Sequence, residues 1–151
     1  MATAITGISS KSLTQIKALS TADIAVTTSS EMATLNSAQI AVMSTAQVAA
    51  ISTESISALM TATISNLSPS QMYALITAQI AAIDPNSQLP NMGSKLIAAM
   101  STAQVVALTT EQVSQLATAQ LSAMTTKQIA ALSTSQAASL TTDQVLALST
   151  A

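Results

Sequence analysis

One eight-residue word recurs along almost the whole chain, and no other feature restricts its fold as much. Ser101 to Met124 reads STAQVVAL, TTEQVSQL, ATAQLSAM, the same word three times over. Aligned on the position most often held by Gln, the hubs are Gln15, Asp23, Glu31, Gln39, Gln47, Ser55, Thr63, Gln71 and Gln79. They continue as Gln88, Leu96, Gln104, Gln112, Gln120, Gln128, Gln136 and Gln144. The step is eight residues except between Gln79 and Gln88, where it is nine. An irregular first unit, with Ala4 as hub and Ile5 and Ile8 as its apolar residues, precedes an insertion near Ser9 to Lys11. Such self-similarity marks a repeat architecture and outranks any local motif.

Two apolar columns accompany the hubs. One residue after each hub stands Ile, Val, Leu or Met, or Ala at Ala137, and four after it another apolar residue, with Thr27 the polar exception in the second column. The candidate core is represented by Ile40, Val48, Ile51, Leu59, Leu75, Ile80, Leu108, Leu132 and Leu140. Three residues before most hubs stands Ser, Thr or Asn, which makes each word a capping box. The hydroxyl accepts from the backbone N–H three residues on, and the Gln amide reaches back to the cap residue's own N–H. Candidate caps are Ser44, Ser52, Ser101, Thr109, Thr125, Ser133 and Thr141. Asp23 and Glu31 are expected to replace Gln in the box. The apolar residues on either side of each cap are spaced as a hydrophobic staple.

A helix-start signal every eight residues is at odds with one continuous helix. Eight residues advance about 800°, roughly 80° beyond two turns, so the apolar positions would spiral round the whole surface. Coiled coils use repeats of seven or eleven. A β-solenoid conflicts with the abundance of Ala and Gln and with only two glycines, Gly7 and Gly93, to make corners. The consistent expectation is all-α: a solenoid of two-turn helices, one per word, each about 10 Å long. Helices this short hold only by stacking. Two or three words per superhelical turn are both open at this stage.

Departures from the word carry their own expectations. Met60, Ile76, Pro85, Gly93 and Ala117 stand where a cap belongs, and a cap shifted by one residue to Thr61, Thr77, Asn86, Ser94 or Thr118 would rescue those starts. The stretch DPNSQLPNMGSK gathers Pro85, Pro90 and Gly93. It divides a single solenoid over 1–151 into a front array over 12–83, a kink or loop over 84–95 and a back array over 96–151.

The side chains supply little chemistry. There is no His, Cys or Arg, so neither a nucleophile–base pair nor a metal cluster can be assembled, and the expectation is no enzyme and no cofactor. Four Lys against six acidic residues exclude an electrostatic grip on nucleic acid. No apolar run approaches a membrane span, and the start MATAITGISSK lacks the basic and apolar regions of a signal peptide. The methionines read as core filling and Tyr73 as a surface or stacking residue. Ser-Thr pairs recur as hydroxyl rows, which serve as caps facing water or as a surface for ice or glycan.

The words TAQIAAI, STAQVVALTTEQV and TTKQIAALSTSQ resemble the Ala/Ser/Thr-rich octapeptide arrays of large bacterial surface or adhesin-like proteins, over nearly the whole chain. That resemblance implies an extracellular or cell-surface structural role. LTTEQVSQL, Leu108 to Leu116, also resembles the first helix of TAL-effector repeats. Their much longer repeat carries a base-reading loop for which an octad has no room, so DNA reading is not carried over. The final LSTA begins a word and leaves a stacking face open. The expectation is a structural protein whose partner is itself, joined head to tail into a filament. The alternative is a monomeric spacer or binding module displaying its Ser and Thr rows.

Overall fold

The computed structural model describes residues 5–149, with the Ser149 side chain excepted. The reading of Ala4 as a hub and of Thr150 and Ala151 as part of an unfinished word falls outside the described residues. Among the described residues there are sixteen short α-helices and two 3-10 helices, and no strand. The chain is an all-α solenoid.

Each word folds as its start signal dictates. In Thr102–Ala107 the cap Ser101 lies in the extended region (φ −73°, ψ 161°), and its hydroxyl accepts from the Gln104 N–H. Leu108 then returns to extended backbone (φ −61°, ψ 138°) and Thr109 opens the next helix in the same way. Two extended residues per word leave fewer than eight for the helix. Most helices therefore run four to six residues, shorter than the two full turns expected.

The helices coil into stacked turns. Leu13–Ala18 lies on Ser37–Val42, Thr45–Ala49 on Pro69–Ala74, and Thr118–Ser122 on Thr142–Ser149. Outside the bonds that Thr27 and Glu31 make to the irregular first unit, side-chain hydrogen bonds between turns join residues 25–32 apart. One superhelical turn thus takes between three and four words, not two or three. Most words send two apolar side chains inward, and the wider ring gives them room to meet along one axis.

That axis is the core. Ile40, Val48, Ile80 and Leu121 are wholly buried, with Ile51, Leu59, Leu75 and Leu108 nearly so. Leu132 and Leu140 are only half-buried, because they belong to the last described turn and nothing covers them.

The start of the solenoid is closed by its irregular unit. Gly7 takes a left-handed conformation (φ 62°) that folds residues 8–10 into a 3-10 turn over the first helices. Glu31 accepts from the backbone N–H groups of Gly7 and Ile8 at 3.1 and 3.2 Å. Thr27, the polar residue in the apolar column, is buried and accepts from the Ile5 N–H.

The nine-residue word is absorbed without dividing the array. Asp84 acts as its cap: Oδ1 accepts from the Ser87 hydroxyl at 2.7 Å and from the N–H groups of Ser87 and Asn86 at 2.6 and 3.0 Å. The irregular stretch ends at Gly93, since residues 94 and 95 already belong to the helix Ser94–Ala98. The hydrogen bond from the Ser87 hydroxyl is the first cause holding the Asp84 carboxyl below the usual carboxylate range; the Ser87 and Asn86 N–H groups add to it, and burial opposes it. A depressed folded pKa stabilises above the unfolded value and is lost as pH falls through the folded one. Wild type should therefore exceed Asp84→Asn in melting temperature at pH 7, with the gap closing below about pH 3.9. A gap that persists unchanged at pH 2.5 would show that charge plays no part.

The shifted caps do not form. Met60, Ile76, Gly93 and Ala117 remain at the cap position in extended backbone, without a side-chain cap bond. The hub explains why: Gln79 and Gln120 still accept from the Ile76 and Ala117 N–H groups, both at 2.8 Å, so half of the box holds the register. Ala117 is exposed and its backbone (φ −65°, ψ 150°) matches that of the Ser caps. Ala117→Ser should supply the missing half and stabilise by about 1 kcal/mol. A melting temperature higher by about 2–4 °C is the expected reading for a chain of this size.

Candidate functional site: the hub glutamines and the faces they join

A Gln side chain offers one carbonyl and two N–H groups. At the buried Gln hubs the carbonyl and the amide are both used, whereas the exposed Gln15 uses only its carbonyl, on the Ser12 N–H. Gln47 Oε1 accepts from the Ser44 N–H at 2.8 Å, closing the start of its own helix. Its Nε2 donates to the Ile16 and Leu19 carbonyls at 2.9 and 2.8 Å, in the turn before. Those carbonyls sit at the end of the helix Leu13–Ala18, where the last C=O groups have acceptor capacity to spare, although that of Ile16 also takes the Leu19 N–H at 3.2 Å. One residue therefore caps the start of its own helix and the end of another, four words earlier.

The arrangement repeats at Gln39, Gln71, Gln79, Gln88, Gln104, Gln112, Gln120, Gln128, Gln136 and Gln144, each 3% exposed or less. Gln79 Nε2 reaches the Val48 and Ile51 carbonyls at 3.0 and 2.6 Å, and Gln144 those of Val113 and Leu116 at 3.0 and 2.7 Å. The amide spans 31 and 28 residues in the first turns. It spans 32 and 29 for Gln88, Gln104 and Gln112, whose bonds straddle the inserted residue. From Gln120 on it is again 31 and 28.

Where the hub is not Gln, the stitch weakens or changes sense. Thr63 donates one bond, to the Leu35 carbonyl at 2.7 Å. Ser55 accepts from the Ser52 hydroxyl, and Leu96 is an apolar side chain, 5% exposed. Asp23 and Glu31 were expected simply to replace Gln in the box. Asp23 instead accepts from the Ser20 hydroxyl at 2.6 Å, and Glu31 is turned to the Gly7 and Ile8 N–H groups. A carboxylate accepts and cannot donate, so neither side chain can make the bonds to carbonyls that the Gln hubs make.

The remaining candidates are placed as follows. Ser44, Ser101, Thr109, Thr125, Ser133 and Thr141 accept from the hub N–H, and Ser52 does the same for Ser55. Thr45, Thr77, Thr110 and Thr142, each just after a cap position, are exposed on the outside, as are Tyr73, Ile76 and Val106. Among the described residues no group of three or more acidic side chains is gathered to hold a metal, and no helix is long and apolar enough to cross a membrane. The face formed by the last words holds an open cleft of about 320 Å³ lined by Leu121, Ser122, Met124, Thr126, Ile129 and Leu148.

The ALTTAQ repeat matches residues 28–61, 86–118 and 113–150, more than half of the chain. The chain belongs to the ALTTAQ repeat family. The A-Q pair of the family's name is the hub and the residue before it, as in Ala46-Gln47 and Ala103-Gln104, so the ALTTAQ signature carries the stitching residue itself. No curated protein and no solved structure matches the chain. What the hub pattern missed in advance is the outward reach of the Gln amide, and with it the size of the turn.

Proposed function

We propose that this ALTTAQ chain is a structural spacer, a rod whose words serve to hold one another in register. The observation that carries the reading is the fate of the hub side chains. In turn after turn the same buried amide is spent on the chain's own backbone, and the apolar residues are spent on the axis. No catalysis is assigned to it. Each added turn lengthens such a rod by about 10 Å, the spacing of packed helices. In the extracellular or cell-surface setting that the resemblance to bacterial repeat arrays implies, length of this kind separates what it joins.

Head-to-tail assembly of identical copies is the second reading, in which the half-buried Leu132, Leu140 and Leu148 would pack on the first turn of another copy. The opposite end fits it poorly. There Asp23 and Glu31 hold two of the first hubs, so they bring carboxylates where the last turn presents carbonyls. Sedimentation velocity and negative-stain microscopy over a hundredfold range of concentration separate the two. The spacer reading expects one small species throughout; filaments above a threshold concentration would overturn it.

A further inference from the structure

We infer that the word from Gly93 to Met100 is a yield point built into the rod, where one turn parts from the turn below while the words on either side stay stitched. The inference concerns bonds inside the chain and holds whatever the rod joins.

Two devices hold a word: a cap at its start and a donor laid on the carbonyls of the turn below. Among the octads described, this word alone has neither. Gly93 has no side chain to accept from the helix Ser94–Ala98, and the Ile97 N–H meets the Gly93 carbonyl only at 3.5 Å. The same bond measures 3.0 Å where Ser101 or Thr109 is the cap. Leu96, at the hub, can neither close the box at the Gly93 N–H nor donate downward. The carbonyls it stands over in the repeat are those of Ile64 and Leu67. That of Ile64 takes the Leu67 N–H at 3.2 Å, and no N–H or hydroxyl of the described residues reaches that of Leu67, which is 5% exposed. In the next word the equivalent carbonyls, of Met72 and Leu75, take Gln104 Nε2 at 2.9 and 2.7 Å.

Other irregular hubs keep one device. Ser55 has the Ser52 cap, and Thr63, without a side-chain cap, still donates to the Leu35 carbonyl. Leu96 is itself 5% exposed, so from below the word is held by apolar contact, which is non-directional and fixes no carbonyl. From above, Gln128 Nε2 holds the Met100 carbonyl at 2.6 Å, so the parting falls beneath the word. It is bounded along the chain as well. Gln88 is tied to Ile56 and Leu59, and Gln104 to Met72 and Leu75. The least-bonded unit opens first, and the rod bends there without coming apart.

Residue-resolved native-state hydrogen exchange on the whole chain tests this. Corrected for intrinsic rates, amides 96–99 should exchange at least about tenfold faster than their equivalents 104–107, since a cap and each donated bond count for about a factor of five. Gly93→Ser with Leu96→Gln restores both devices. A Cβ at Gly93 meets no atom within 4 Å, and its backbone (φ −63°, ψ 146°) is already that of the Ser caps. The pair should slow 96–99 to the rate of 104–107. Gln104→Leu asks the question in reverse and should speed exchange over 104–107. Equal protection of the two segments in the wild type would overturn the inference. So would fast exchange over 96–99 that the restored pair leaves unchanged, or a Gln104→Leu chain whose 104–107 stay as protected as before.

Discussion

Ile80→Asp is expected to abolish cooperative folding through the middle of the chain. Ile80 is wholly buried on the axis, beside a hub whose amide ties its turn to the one before. Removing the side chain alone costs about 2–5 kcal/mol, and burying an unpaired carboxylate adds several more. In a solenoid each unit leans only on its neighbours, so a break in the centre separates two short arrays that have little stability of their own. Circular dichroism should show most of the helical signal lost at 25 °C, without a sharp thermal transition. Leu132→Asp, at a half-buried position in the last turn, should fray that turn and leave the rest folded. An Ile80→Asp chain that melts cooperatively near the wild-type temperature would refute the axial core.

Gln79→Glu should be the most informative single-atom change. It keeps the acceptor that closes the start of its helix at the Ile76 N–H. It replaces the donor by an oxygen held against the carbonyls of Val48, Ala49 and Ile51, at 3.0, 3.3 and 2.6 Å from the present nitrogen. Lost bonds and an ionised group facing carbonyl oxygens together cost about 3–5 kcal/mol at pH 7. The pH dependence has a definite sign. Carbonyl neighbours disfavour the ionised form, so the folded pKa lies above the unfolded value of about 4.3. The neutral acid donates once and is tolerated, so the variant should approach wild type below about pH 4 and lose stability as pH rises above it. Gln79→Met, which loses the donors without adding charge, should be destabilised to a similar degree at every pH. A Gln79→Glu variant as stable as wild type at pH 7 would mean that donation between turns contributes nothing.

The local half of this structure could be read in the chain, and the long-range half only in part. Ser101 with Gln104, or Thr125 with Gln128, declares a helix start within four residues, and the columns through Ile40 and Leu108 declare an inward side. Nothing local declares a bond between Gln47 and Ile16, because the two are 31 residues apart. A trace of it was nonetheless present. Glu closes a capping box as well as Gln does and suits a helix start better by charge. A chain that places Gln at hub after hub, and carboxylates only at Asp23 and Glu31, is asking for a donor. The size of the turn follows from where that donor lands, which is why the octad alone left it open. The same half-box keeps Ile76 and Ala117 at the cap position, so the neighbouring Thr77 and Thr118 were not needed as substitutes. The loop around Asp84 was visible through Pro85 and Pro90, but its harmlessness was not, since that depends on Gln88 and Gln112 re-reaching their carbonyls one residue farther on.

That inserted residue shows how little history the array keeps. Its effect is confined to the hubs whose bonds straddle it, and from Gln120 onward the spans are what they were at the start. A word is placed by the turn before it and by nothing earlier. A whole word gained or lost would therefore leave the words that remain with equivalent carbonyls waiting. Length in such a protein is heritable yet free to drift, a trait that selection can tune by counting words rather than by changing any of them.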